Sequence, residues 1–109
     1  AKMLLVMRVV WTAQGNRALE AIMTCAQQFY SRNLLRKLNT DIKDTERLMA
    51  DNPRMGGLEL QANGREYEYR SIVLCRPFKL IYFIYEDCLY IADVWDTRQL
   101  PETLVKHLL

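Results

Sequence analysis

Arg70, Arg76, Lys79 and Arg98 are the side chains of this sequence best placed, by type and spacing, to do chemistry. If a turn at Cys75 pairs the segments around it, Arg70 lies near Ile81. If Glu86-Asp87-Cys88 turns the chain again, Lys79 lies near Trp95 and Asp96. The four cations then gather toward one end of a sheet, where they could hold phosphates or stabilise charge developing on one. A register slip of one residue would send side chains to the opposite face. The alternative is a set of solvated surface charges, Arg70 paired with Glu68 or Asp93 and Arg98 with Asp96. Exposed pairs of that kind contribute about 0–1 kcal/mol each.

His107 is the single histidine. It could serve as a general acid or base, since an unperturbed imidazole titrates near pH ~6.5. It could equally be a surface residue at a helix C-terminus, where its charge would complement the dipole. One histidine gives no readable Ser-His-Asp set and makes a His/Cys zinc site improbable. Gly56-Gly57 lies outside any G-x-x-x-x-G-K-[ST] pattern, so it is no phosphate loop. Tyr67, Tyr69, Tyr82, Tyr85 and Tyr90 could stack on bases, but at strand spacing they read as half-buried sheet residues with wet hydroxyls.

The 109 residues suit a single domain spanning 1–109, and half of them are hydrophobic. Fifteen basic and thirteen acidic residues leave a net charge of +2, too balanced to announce nucleic-acid binding by itself. Cys25, Cys75 and Cys88 are odd in number and far apart, so they read as reduced thiols in a cytoplasmic protein. The run Met3–Val10 is broken by Arg8 and falls far short of the ~20 residues a membrane span needs.

Periodicity supplies the elements that would position the cations. A first strand is expected over Leu4 to Trp11, with Thr12 or Asn16 capping the helix after it. That helix, from about Gln14 to Tyr30, carries an apolar stripe of Leu19, Ile22, Met23, Ala26 and Phe29. After the break Ser31-Arg32-Asn33, a second helix from about Leu34 to Ala50 repeats Leu35, Leu38, Ile42, Thr45 and Met49. A short connection predicts an antiparallel helical hairpin, ended by Asn52-Pro53. Residues 54–65 read as loop. The period then becomes two: a half-buried strand from Glu66 to Val73, a central strand from Leu80 to Tyr85 apolar on both faces, and a last strand from Leu89 to Trp95. Leu104, Val105, Leu108 and Leu109 suggest a short terminal helix begun at Pro101. Strand, two helices and a three-strand meander predict an α+β fold: an antiparallel sheet with the hairpin on one face. The first strand should join one of the later strands. The second face of the central strand should also need covering, in part by the C-terminal segment.

This order, β-α-α-β-β-β, resembles the RelE/ParE superfamily of toxins. Val9-Val10-Trp11-Thr12 resembles the opening of ParE-type chains, and Asn52-Pro53 with Gly56 their loop after the hairpin. Tyr69-Arg70 and Phe78-Lys79-Leu80-Ile81-Tyr82 resemble the family's tyrosine–arginine pair and the strand after it. Val94 to Gln99, with Pro101 behind, resembles its last strand and trailing arginine. The resemblance implies a cytoplasmic toxin of a type II toxin–antitoxin system, neutralised by a cognate antitoxin, as a homo-oligomer or a toxin–antitoxin hetero-oligomer, with no cofactor, metal or membrane. It implies either ParE-like inhibition of DNA gyrase or RelE-like cleavage of ribosome-bound mRNA; an inactive antitoxin-binding homologue is a third reading. Arg70, Lys79 and Arg98 match basic positions of the RNase set. Ile72 stands where another base would be, and no tyrosine follows Tyr90. The long hairpin is more similar to ParE, which acts by binding. An antitoxin segment is the expected cover for any apolar groove the sheet leaves open.

Overall fold

The computed structural model describes residues 7–24, 30–62 and 66–98. It is an α+β fold, with both helices on one face of a five-stranded sheet. The elements are β1 (Arg8–Trp11), α1 (Ala13–Thr24), α2 (Arg32–Asp51), β2 (Gly57–Leu58), a 3-10 turn (Leu60–Ala62), β3 (Tyr69–Val73), β4 (Phe78–Tyr85) and β5 (Cys88–Asp96). The strand order is β1-β5-β4-β3-β2.

The expected meander β3-β4-β5 is present and antiparallel. The first strand joins it on the far side of β5, in parallel register from Arg8 opposite Cys88 to Trp11 opposite Ile91. The sheet is therefore mixed at one edge rather than wholly antiparallel. The stretch read as loop contains the short β2, which pairs with Ser71 and Arg70 of β3. Two residues offer no period to detect, so sequence alone could not place this strand.

Capping chemistry fixes the helices. The Thr12 hydroxyl accepts from Gly15 N–H at 2.9 Å and donates to the Ile91 carbonyl at 3.0 Å, so one side chain caps α1 and docks it on β5. Ser31 caps α2 by accepting from Leu34 N–H at 3.1 Å. Tyr30 lies outside either helix, in a bend. The stripe Leu38, Ile42, Thr45 and Met49 is buried as its spacing predicts.

Alternation along β4 divides two cores. Phe78, Leu80 and Tyr82 face the helices with Leu38, Ile42, Met49, Leu89, Ile91 and Val94. Ile81 and Phe83 face the other way, with Ala62, Tyr69, Ala92 and Trp95. A register shift at Ile81/Tyr82, where Ile91 and Asp93 oppose consecutive residues, leaves Ala92 as the extra residue of a bulge. The second face is thus covered in part by Ala62 of the 3-10 turn. It also carries an aromatic row in which Phe83 stacks on Tyr67 at 4.2 Å and on Tyr90 at 5.2 Å. Residues 99–109, including the expected terminal helix, lie outside the described residues. No described helix is long and apolar enough to cross a membrane.

Candidate functional site

The turn after β3 closes through the Leu74 amide, which donates to the Phe78 carbonyl at 3.0 Å. This sets Val73 opposite Lys79 and Arg70 opposite Tyr82, one residue from the expected Ile81. Directly opposed residues share a face. Arg70 therefore lies with Tyr82 on the helix side, whereas Lys79 lies with Ile81 on the other. Lys79 does oppose Trp95, as expected from the second turn. Arg98 sits beyond the end of β5, past Asp96, which opposes Phe78 at the start of β4. Arg70 is three residues farther along β4 than Lys79, about 10 Å at the rise of a strand. The three cations do not converge on one point.

Each is engaged by a carboxylate of the chain itself. Arg70 donates to the Gly56 carbonyl at 2.8 Å and pairs with Glu68 at 3.1 Å. Lys79 pairs with Glu59 at 2.6 Å, a contact in which the Glu59 side chain is 5 % exposed. Arg98 grips Asp96 with Nε at 3.0 Å and a terminal nitrogen at 2.7 Å. The pairings of Arg70 with Glu68 and Arg98 with Asp96 are those the sequence offered as the bland alternative. Glu59 escaped notice because it follows the two-residue strand that the sequence hid. Among the described residues, no hydrogen bond or ion pair engages the Arg76 side chain. His107 lies outside the described residues.

Asp96 forms a clasp at the end of the sheet. The Tyr30 hydroxyl donates to its second oxygen at 2.7 Å, the Arg98 amide to its first at 2.9 Å, and the Arg98 guanidinium lies 5.7 Å from the centre of the Tyr30 ring. Thr97 adds two bonds to the Pro77 carbonyl. Hydrogen bonds from Arg98, then from Tyr30, hold the Asp96 carboxyl down to about 2 against the opposing effect of burial. Burial first, then Asp96, raises the Tyr30 phenol. A depressed folded pKa contributes stability that is complete above the ordinary carboxylate range and is lost as pH falls through about 2. Because Arg98 is mostly exposed, solvent screens the clasp and its contribution is modest. Denaturant unfolding at pH 5 and at pH 2.5 should show the loss, and Asp96→Asn should abolish that part of it. An unchanged pH dependence in the variant would contradict the assignment.

A second cluster forms where the chain leaves α2. The Tyr82 hydroxyl, wholly buried, donates to the Pro53 carbonyl at 2.8 Å and accepts from the Gly56 amide at 2.9 Å. Burial raises the Tyr82 phenol, partly offset by the Gly56 amide and by the charges of Arg70 and Arg54. With Arg70 bonded to the Gly56 carbonyl, the loop is stapled to the sheet from both sides of one peptide segment. Arg54, Glu68, Arg70 and Ile84 line a cleft of about 240 Å³ here. A second cleft of about 480 Å³ is lined by Asp51 to Met55. Tyr82→Phe should cost about 2 kcal/mol, since it strands a buried amide. Hydrogen exchange at the Gly56 amide should accelerate, and an unaltered exchange rate would refute the staple.

Sequence reasoning missed Arg54, Glu59, Tyr82 and Tyr30 as members of these clusters. Tyr82 could have been found from a correct register, since it opposes Arg70; nothing local marks Tyr30.

No protein-family model matches this chain, and no curated protein matches it. Among solved structures, it is similar to a chain of the chromosomal ParDE TA system from P. aeruginosa. The two are 18 % identical, with a TM-score of 0.61, covering 82 % of this chain and 94 % of that one. Nearly the whole of that chain is matched at low identity, so the likeness lies in backbone architecture. The chain shares its fold with that chain of a ParDE TA system, and the order of elements read from the sequence is present.

Proposed function

We propose that this chain is the toxin of a type II toxin–antitoxin pair and acts by binding a protein target, DNA gyrase, rather than by cutting RNA. A cognate antitoxin is its partner in a cytoplasmic hetero-oligomer. The shared architecture with a chain of a ParDE TA system supports the toxin class. The observation that carries the choice of mechanism is the disposition of the cations. Cleaving an RNA phosphodiester needs charges converging on the phosphate that is attacked. Here Arg70 and Lys79 lie on opposite faces, and Arg70, Lys79 and Arg98 each hold an acid of the chain. Freeing any of them for a phosphate would first require breaking that pair. A toxin that binds a protein needs no such set.

The reading is tested by inducible expression with and without the neighbouring gene product, following growth, DNA-damage signalling and mRNA integrity. The expected outcome is growth arrest with damage signalling, intact mRNA, and rescue by the neighbour. Rapid mRNA cleavage would select the endonuclease reading in its place. Unimpaired growth would select an inactive antitoxin-binding homologue.

A further inference from the structure

The cleft between Arg54 and Arg70 has no assigned part in gyrase inhibition. Arg54 is exposed in the turn after α2, and among the described residues no hydrogen bond or ion pair engages its side chain. Arg70 is fixed by the Gly56 carbonyl and Glu68. Both guanidiniums line one cleft with Glu68 and Ile84. Two positive groups against one negative leave one positive charge to match. We propose that this cleft receives a single carboxylate from an acidic residue, set among apolar neighbours, of a protein partner.

Two features select that occupant over a nucleic-acid backbone. The charge balance suits one anion, whereas a chain of phosphates would also meet Glu68 in the cleft and Asp51 in the cleft adjoining it. The flanks are apolar: Ile84 lines the cleft, Met55 is 44 % exposed beside Arg54, and Leu58, opposite Arg70 on β2, is 55 % exposed. A guanidinium fork holds either a carboxylate or a phosphate by two parallel bonds, so the charge balance and the apolar flanks decide between them. Arg54 supplies the fork, and Arg70, already positioned, supplies charge. Naming the partner as a protein rests on the binding reading of function; the presence of an anion-receiving cleft does not.

The test uses the whole chain with nitrogen-15 in its arginines, observed by NMR at the Nε–Hε resonances. The probes are the peptide acetyl-Leu-Glu-Leu-amide, its glutamine counterpart, and decauridylate. We expect the glutamate peptide to shift the Arg54 and Arg70 resonances saturably, with the glutamine peptide about tenfold weaker. Arg54→Gln, at an exposed position, should keep the circular dichroism of the parent and weaken the glutamate peptide about tenfold. Equal response to both peptides, no saturable shift, or tighter saturation of the same resonances by decauridylate would each overturn the proposal. Gyrase inhibition is read in a separate assay, so the two readings fail separately.

Discussion

Lys79→Ala will lower the stability of this protein by about 3 kcal/mol, the scale expected when one member of a buried ion pair is removed. The Lys79 ammonium lies 2.6 Å from Glu59, and the two side chains are 19 % and 5 % exposed. Truncating the lysine takes this counter-charge from a carboxylate that is largely shut from water. The consequence reaches beyond the pair. Glu59 sits between β2 and the 3-10 turn, and its amide donates to the Tyr69 carbonyl at 2.8 Å. Losing the pair should therefore loosen the cover over the second face of the sheet. Thermal unfolding should shift down by roughly 15 °C for a domain of this size. The double variant Lys79→Met with Glu59→Gln should recover much of the loss, because it removes both charges together. A single variant as stable as the parent would show that the pair is not a buried one in solution.

Gly15→Ala is the other large expected effect, again about 3 kcal/mol, at the upper end of what overpacking costs. Gly15 is the buried residue of α1, at the point where the helix crosses β5. A Cβ there would fall on the Ile91 carbonyl oxygen, with the Trp11 ring 3.3 Å away. Neither can retreat cheaply. The Ile91 carbonyl accepts from both the Thr12 amide and hydroxyl, and Trp11 is tied to Glu46 of α2 through its indole N–H at 2.7 Å. In an ordinary helix interior the same substitution is stabilising by roughly 0.5–1 kcal/mol, so the sign itself is diagnostic. Chemical denaturation decides it: a stabilised variant would mean that α1 does not dock on β5 as described.

The large elements were legible because each is long enough to display its period. Leu38, Ile42, Thr45 and Met49 fall on one stripe, and Leu80 to Tyr85 is apolar on both faces because it lies at the centre of the sheet. Thr12 could be named as a candidate cap because capping depends on local residue type. The candidate site was less legible because it depends on register. The three-residue turn Cys75-Arg76-Pro77 places Arg70 opposite Tyr82. Had it fallen opposite Ile81, it would have shared a face with Lys79. The acids were legible only where they are near in sequence: Glu68 is two residues from Arg70 and Asp96 two from Arg98. Glu59, twenty residues from Lys79, is brought to it by a strand too short to read. The parallel docking of β1 on β5 was likewise invisible, since composition does not specify the neighbour of an edge strand.

The central claim is that this chain acts by stoichiometric binding and not by turnover on RNA. Its most direct test is a titration of the purified chain into DNA gyrase supercoiling a relaxed plasmid, alongside a translating extract whose mRNA is followed by primer extension. We predict supercoiling inhibited at a fixed molar ratio to gyrase, with the mRNA intact. Many cleaved messages per molecule of this chain, with supercoiling untouched, would contradict it.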